Sequence, residues 1–375
     1  MKPNIIFILL DGARWDRLDK SKEFSELIKE GTLLDNVNTA IPYTIGSVNV
    51  TFSGLYGKEN GIDAYYKMFR LKKSIKNLPE ILKENGYFTG CDLLADKIIA
   101  DRGFDIHQAH NEYEDNLLVR HPNFINECIE KAEDKPIFIF LHSTKIHTVT
   151  VSEILKKYQW DDKTFYENKK KNLENYDKVF QEVGQYTKKI KEHIDDSKLK
   201  NNTIIIFFSD HGTGVGERFG ERNYGSFTYE ETIRSFYLFI GDDIKKNRTH
   251  VLRETIDIMP TILDLCEISK NVDYPGKSIL PFLLGKNNKL DHKDYVFSET
   301  GALHGPYPSP KEPNVFCIKN LKYKLMYLQT PNEWRFFDLE NDPDEIYNIY
   351  DEKLETINEF KNKLLDWINR KSSIS

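Results

Sequence analysis

Three stretches of this chain share one form: an unbroken apolar run of strand length that stops at a residue able to bind a metal or carry a proton. Ile5 to Leu10 ends at Asp11, Ile137 to Leu141 at His142, and Ile204 to Phe208 at Ser209-Asp210-His211. A strand with one wet face alternates apolar and polar residues, so continuous hydrophobicity marks strands covered on both faces, as in a parallel sheet flanked by helices. Ligands of such sheets collect beyond the carboxyl ends of the strands. Three polar endings at that edge converge on one site.

The intervening sequence is helical. Leu173, Tyr176, Phe180, Val183, Ile190 and Ile194 recur at amphipathic spacing. Asn77, with Glu80 three residues on, is a capping-box start for a helix over Leu78 to Lys83. Ser235 to Ile240 reads as another buried strand, and Ile256 to Leu265 as a helix carrying Pro260. The fold class is therefore α/β, a large mostly parallel sheet flanked by helices over residues 1–285. After the polar break from Gly285 to Lys289, short strand candidates at Tyr295 to Phe297, Val315 to Ile318 and Tyr323 to Tyr327 precede a helix from about Leu354 to Trp367. That order predicts a small α+β subdomain over 286–375.

Composition removes several functions. With 53 basic against 59 acidic residues and a net charge of −6, the chain has no positive field to hold a phosphate backbone, so nucleic acid is not the expected partner. The run from Ile5 to Leu10 falls far short of the roughly 20 apolar residues of a membrane span, and no small-residue cleavage site follows it. No membrane insertion is expected, the expected compartment is the cytoplasm, and self-association into a homo-oligomer is left open. Cys91, Cys128, Cys266 and Cys317 form no C-x-x-C pair, which predicts reduced, buried thiols rather than a thiolate metal site.

Asp11 with Asp210 and His211 is the strongest chemical constellation. Two carboxylates and an imidazole suit a divalent ion; of Zn, Mn, Mg and Ca, the mixed oxygen and nitrogen set favours Zn or Mn. Thr44, in Pro42-Tyr43-Thr44-Ile45-Gly46-Ser47, lies where a helix start would offer free N–H groups to an anion, although a plain N-cap is the commoner role of such a threonine. His142 and His147 flank a loop just past a strand end, a place for substrate contact or for protonating a leaving group. His304 is a weaker substrate candidate, and Gly212 to Glu217 lacks the ending of a P-loop.

Together these segments resemble the sulfatase family of the alkaline phosphatase superfamily: Asn4 to Leu18, Thr44 to Gly54, Phe140 to His147, Ser209-Asp210-His211-Gly212, Tyr229 to Arg234, Ile256 to Thr261 and Phe337 to Pro343. The resemblance implies that Asp11, Asp210 and His211 are metal ligands together with Thr44. It also implies that Thr44 is the nucleophile, ten residues before Gly54, and that His147 is the substrate-side histidine. Arg14, inside the first motif, and His304 are expected on the substrate.

The departures carry as much information. The family's sulfate-ester chemistry uses a Cys or Ser, in C/S-x-P-x-R, converted to formylglycine. Here the segment is Thr44-Ile45-Gly46-Ser47-Val48, and oxidising a threonine gives a ketone because its β-carbon bears a methyl. Gly12 replaces a second aspartate, and Gly225 falls where a sulfate-contacting lysine is expected. A threonine instead resembles the phospho-acting members. The expected activity is metal-dependent hydrolysis of a phosphodiester or phosphonate monoester, on a small molecule or glycan, through phospho-Thr44, with His142 or His147 as the acid. A phosphoethanolamine- or phosphoglycerol-type transferase, a sulfuric ester hydrolase, and a non-catalytic binding protein on the same fold are the alternatives.

Overall fold

The computed structural model describes residues 2–370 apart from 68–70, 97, 271, 302–303 and 352–353. The main sheet contains strands β1 (Asn4–Leu10), β2 (Thr32–Asn38), β3 (Phe88–Leu93), β4 (Ile106–Ala109), β5 (Ile137–Ser143), β6 (Thr203–Phe208), β7 (Arg234–Ile240), β8 (Asn247–Thr249) and β9 (Arg253–Glu254). They run in the order β4-β3-β5-β1-β6-β7-β2-β8, with β9 also beside β2. All pair in parallel except β7, which is antiparallel to both β6 and β2. Reading Ser235 to Ile240 as a strand was right; its reversed direction was not visible in its composition.

Register explains why the three polar endings meet. Leu9 of β1 lies opposite His142 of β5 on one side and Phe208 of β6 on the other. Asp11, His142 and Asp210 therefore leave three adjacent strands at one edge. The apolar runs are continuous because the sheet is covered twice: Ile5, Phe7 and Leu9 enter one core, and Ile6, Ile8 and Leu10 the other.

Eight helices matter here: α1 (Lys22–Ile28), α2 (Thr44–Ser53), α3 (Leu78–Glu84), α4 (Leu117–Ala132), α5 (Lys145–Thr150), α6 (Lys169–Asp195), α7 (Ile258–Leu265) and α8 (Glu355–Asn369). α1, α4 and α6 cover the second face, where Phe24 meets Phe180 edge-on at 5.8 Å. α2 and α7 cover the first. The capping box at α3 forms as expected, Asn77 Oδ1 accepting from the Glu80 amide at 3.0 Å and Glu80 accepting from the Asn77 amide at 3.0 Å. Pro260 falls in the first turn of α7, where its missing N–H costs no helix bond.

Beyond residue 285 the chain forms a four-stranded antiparallel sheet, β10 (Val296–Thr300), β11 (Val315–Lys319), β12 (Tyr323–Leu328) and β13 (Glu333–Asp338), paired in sequence order. α8 packs on it, Phe360 against Phe336 at 5.6 Å. All four cysteines are free and buried. Among the described residues no helix is long and apolar enough to cross a membrane.

Candidate active site

α2 carries the site's alcohol. Its N-cap is Tyr43, so Thr44 occupies the first helical position rather than the cap. The helix is buried throughout and is pinned to the sheet by Phe52, whose ring meets Phe7 at 5.2 Å and Phe140 at 4.8 Å. At its other end Ser47 Oγ donates to the Asp210 carbonyl at 2.8 Å and receives a hydrogen bond from Thr39 Oγ1 at 2.9 Å. These contacts fix Thr44 against the strand edge. Its Oγ1 lies 3.3 Å from Asp11 Oδ2 and 3.4 Å from His211 Nε2.

The predicted ligands gather as expected: one donor atom from each of Asp11, Asp210 and His211 lies within 4.8 Å of the other two. Whether they fit a cation is read from what each atom lacks. Asp210 Oδ1 accepts from the amides of Gly12 at 3.2 Å and His211 at 2.9 Å, while Asp210 Oδ2 and Asp11 Oδ1 are buried without a hydrogen-bond partner. His211 Nδ1 faces the Gly212 carbonyl at 2.8 Å. A carbonyl only accepts, so Nδ1 carries the proton and the Nε2 lone pair faces Asp210 Oδ2 at 3.3 Å and Asp11 Oδ1 at 3.7 Å. Two unpartnered carboxylate oxygens and an imidazole nitrogen whose hydrogen-bond partner is Thr44 Oγ1 form a set that fits a divalent cation.

The electrostatics agree. Burial raises the pKa of Asp11, but His147, His142 and His211 outweigh it and hold the carboxyl well below the usual range. Burial raises Asp210 as well; His211 opposes that rise and the Asp11 charge adds to it.

Two expectations need correction. His142 is not poised to protonate a leaving group. Its Nε2 lies 2.9 Å from Asp11 Oδ2 and its Nδ1 accepts from the Leu94 amide at 3.3 Å. With both ring nitrogens spoken for and no exposed surface, it orients Asp11 from behind. Arg14 is likewise not free for substrate: its guanidinium is spent on Asp16 at 2.9 Å, on Glu217 at 2.6 Å and on the Thr213 carbonyl at 3.1 Å. Arg and carboxylate so close in sequence form the pair locally, which a motif cannot show.

His147 and His304 do face the open side. They line a cavity of about 330 Å³ with Tyr43, Tyr65, Arg222 and Tyr224. His147 Nδ1 stands 3.8 Å from Asp11 Oδ2, and its Nε2 is 3.9 Å from Glu112 Oε2. Tyr224 went unrecognised in the sequence. Its ring lies 4.1 Å from that of His211, and its hydroxyl is 3.4 Å from His147 Nδ1. Burial raises the Tyr224 pKa, with Asp11 adding to the rise, so its O–H stays protonated. Only its position two residues past Arg222, in a loop that follows a metal-type pair, could have drawn attention to it. The loops around the cavity include parts of 58–70, whose last three residues lie outside the described residues.

The family model for sulfatases matches residues 3–268, and that for the C-terminal region of N-sulphoglucosamine sulphohydrolase matches residues 222–371. The chain belongs to the sulfatase family. Within it, this sulfatase-family chain is 24% identical to an arylsulfatase of Clostridium perfringens over 93% of its own length and 90% of that protein's. It is 30% identical to the Delta 4,5-hexuronate-2-O-sulfatase of Bacteroides thetaiotaomicron, a match that takes in 48% of this chain and 38% of that protein. Its fold is shared with the phosphonate monoester hydrolase of Agrobacterium radiobacter, at a TM-score of 0.78 and 14% identity over 97% of this chain and 95% of that one. A protein solved with its substrate D-glucosamine-2-N,6-O-disulfate aligns over the whole of both chains, with a TM-score of 0.76 and 16% identity. The sulfatase family thus supplies a hydrolase fold, and its enzymes bind a divalent metal ion, for which this chain has candidate ligands.

Proposed function

We propose that the chain hydrolyses a phosphoester, a phosphodiester or phosphonate monoester, with Thr44 as the nucleophile. The observation that carries this reading is the unprocessed Thr44 hydroxyl, held 3.3 Å from Asp11 and 3.4 Å from His211 where the family's sulfate-cleaving members place an aldehyde precursor. Asp11, Asp210 and His211, with Thr44 Oγ1, would hold the divalent ion, zinc or manganese by the chemistry of the donors. Such an ion, when bound, lowers the pKa of an adjacent oxygen and offsets charge on the transferring group.

The residues divide the work. Thr44 Oγ1 loses its proton to solvent and bonds to phosphorus, while the bond from phosphorus to the departing oxygen breaks. His147, whose two nitrogens stand 3.8 Å from Asp11 Oδ2 and 3.9 Å from Glu112 Oε2, gives a proton to that oxygen. Water then attacks phospho-Thr44 and passes a proton back to His147, and Thr44 Oγ1 leaves phosphorus and is reprotonated. The amides that open α2, which has no side-chain cap, would hold the equatorial oxygens. Tyr43, Tyr65 and Tyr224 line the cavity beside them with aromatic surface, which suits a sugar or aryl leaving group.

The names of the relatives favour a second reading, sulfuric ester hydrolysis. A panel of aryl phosphodiesters, aryl phosphonates and aryl sulfates separates the two, with accurate-mass analysis of the quenched enzyme. The first reading expects turnover of a phosphorus ester, a phosphoryl group on Thr44, and a fall of at least about 10³-fold in Thr44→Ala. Turnover of sulfates alone, or an adduct on another residue, overturns it.

A further inference from the structure

The cavity lined by His147 and His304 also holds a cation that the protein leaves without a counter-charge. Arg222 stands in its wall, 7% exposed. Its Nη1 is fixed by backbone alone, donating to the carbonyls of Leu155, at 3.4 Å, and Tyr158. Among the described residues no carboxylate comes within ion-pair reach of the guanidinium. Nε and Nη2 donate to none of them, yet neither atom is sealed in the interior, and the accessible space that Arg222 lines is this cavity. We infer that the cavity receives the departing half of the ester and that Arg222 pairs there with a carboxylate which that half carries.

The charges around the cavity favour an anion. Arginine keeps its proton in proteins, and a cation withdrawn from water is stable only beside a partner or a ligand that acts as one. Glu221 cannot be that partner. It is the one acid among the described lining residues, its oxygens accept from the amides of Ser226 at 3.2 Å and Phe227 at 2.8 Å, and burial raises its pKa to about 8. Lys156 is a second cation of the same wall. Burial, with the Arg222 charge adding to it, lowers the His304 pKa, so that imidazole offers a hydrogen-bonding edge rather than another charge. Asn223 lines the cavity as well, and its Oδ1 and Nδ2 are both buried without a partner. Buried amides are paired as a rule, and an occupant with polar groups of its own accounts for the exception.

Position says which half of the substrate carries the anion. Asp11, Thr44, Asp210 and His211 lie outside the lining; His147, 3.8 Å from Asp11, and Tyr224, whose ring is 4.1 Å from that of His211, form the wall towards them. The reacting group stays with the metal-type ligands, and the departing oxygen leaves past His147 into the cavity. Arg222 is anchored there on residues beyond the end of α5. A volume of about 330 Å³ suits one ring bearing a carboxylate. The inference rests on the reading of His147 as the residue on the leaving-group side of Thr44, and is independent of whether phosphorus or sulfur is attacked.

The probes are meta-carboxyphenyl and meta-carbamoylphenyl esters, alike in shape and different in charge, each made as a phenylphosphonate monoester and as a sulfate. Metal-loaded wild type is expected to show the higher kcat/KM on the carboxylate member of whichever series it turns over, although the amide is the better leaving group. Arg222→Met is expected to lower the carboxylate-to-amide ratio by about 10-fold or more, chiefly through KM, and Arg222→Lys to keep part of it. A second readout needs no turnover: in calorimetric titrations meta-hydroxybenzoate should bind wild type more tightly than meta-hydroxybenzamide, and Arg222→Met should lose that difference. Equal rates and equal binding of the paired probes in wild type overturn the inference without any variant. So does an Arg222→Met protein that slows both esters alike, which would put the anion on the reacting group. Turnover of sulfates alone with the carboxylate preferred would sink the phosphoester reading and leave this one standing, and turnover of phosphonates with no preference would do the reverse.

Discussion

Gly12 stands beside Asp11 at a place where the backbone leaves no room for a second carboxylate. It follows Asp11 with a φ of +71°, and a Cβ built there meets Thr213 Oγ1 at 2.7 Å and Ile146 at 3.4 Å. Restoring the aspartate that the family resemblance leads one to expect here would strain the backbone and strike the Gly212 loop. Gly12→Asp is expected to cost about 1–3 kcal/mol of stability, measured by urea unfolding, with no gain in bound metal. The two neighbouring histidines divide differently. His147→Ala should lower kcat by about 10²–10⁴-fold for esters with poor leaving groups and far less for esters of acidic phenols, which need no proton to depart. His142→Asn should lower kcat alike for both kinds of ester, because its ring only orients Asp11. Strand-end position and donor chemistry made Asp11, Asp210 and His211 legible, whereas Thr44, at a helix start, was singled out by the family resemblance. Residue identity could not separate His142 from His147, which differ in which amide or carboxylate reaches each nitrogen. Glu299 in β10 gives a pH prediction. Burial raises its carboxyl to about 8 from 4.5, Asp63 and Glu59 add to the rise, and Arg370 opposes it. The fold therefore prefers the protonated form. Its contribution is complete below 4.5 and is lost as pH rises through about 8. Glu299→Gln should remove that decline, so its Tm should exceed the wild-type value above pH 8 while matching it near pH 4.5.

Strands and helices were legible where burial was purchased with apolar residues alone. β1, β5 and β6 announced themselves as unbroken apolar runs, and α6 by its stripe. β2 and β3 did not, because each buries a charge: Asp35 in TLLDNVN and Asp92 in FTGCDL. Those carboxylates are tolerated because cations and imidazoles reach them from other elements, Arg248 at 2.8 Å and His250 at 2.6 Å on Asp35, Arg120 at 2.6 Å and His110 at 3.0 Å on Asp92. Partners so far away in sequence leave no local signal. α2 offers an element-level test of how Thr44 is held. Gly46 lies so close to Ile41 that an added Cβ would stand 2.4 Å from its Cγ2, and the helix has nowhere to retreat because Phe52 is wedged against Phe7 and Phe140. Gly46→Ala is expected to cost about 1–3 kcal/mol and to lower kcat/KM by more than the Tm loss alone explains, as Thr44 is displaced at the helix start. A variant that keeps full activity while losing that stability would show that α2 is not what positions the hydroxyl.

The two sheets share one interior. Phe316, Ile318, Leu325 and Phe336 of the small sheet belong to the same packed cluster as Ile5, Phe7 and Leu9 of the large one, and Trp367 of α8 stacks on Phe297 at 5.0 Å while meeting Tyr56 edge-on at 5.5 Å. Where the apolar cluster stops, buried ions continue the joint. Lys324 of β12 has no exposed side chain and pairs with Glu345 at 2.7 Å and with Glu230 at 3.3 Å, and Lys319 of β11 reaches Glu230 at 2.7 Å. Glu230 opens the short helix Glu230–Ile233 that leads into β7, so these pairs bind the small sheet directly to the strand beside β6. Removing one partner of a buried pair leaves the other charge uncompensated, which costs about 3–5 kcal/mol. Lys324→Met should therefore lower stability by about that amount, and, because the core is continuous, it should do so for the molecule as a unit. Urea unfolding followed by tryptophan fluorescence, with Trp334 and Trp367 reporting on the C-terminal sheet and Trp15 and Trp160 on the remainder, should coincide with the loss of far-ultraviolet circular dichroism in both wild type and variant. Two separated transitions in the variant would mean that the ionic joint, and not the shared apolar interior, is what makes the sheets fold together.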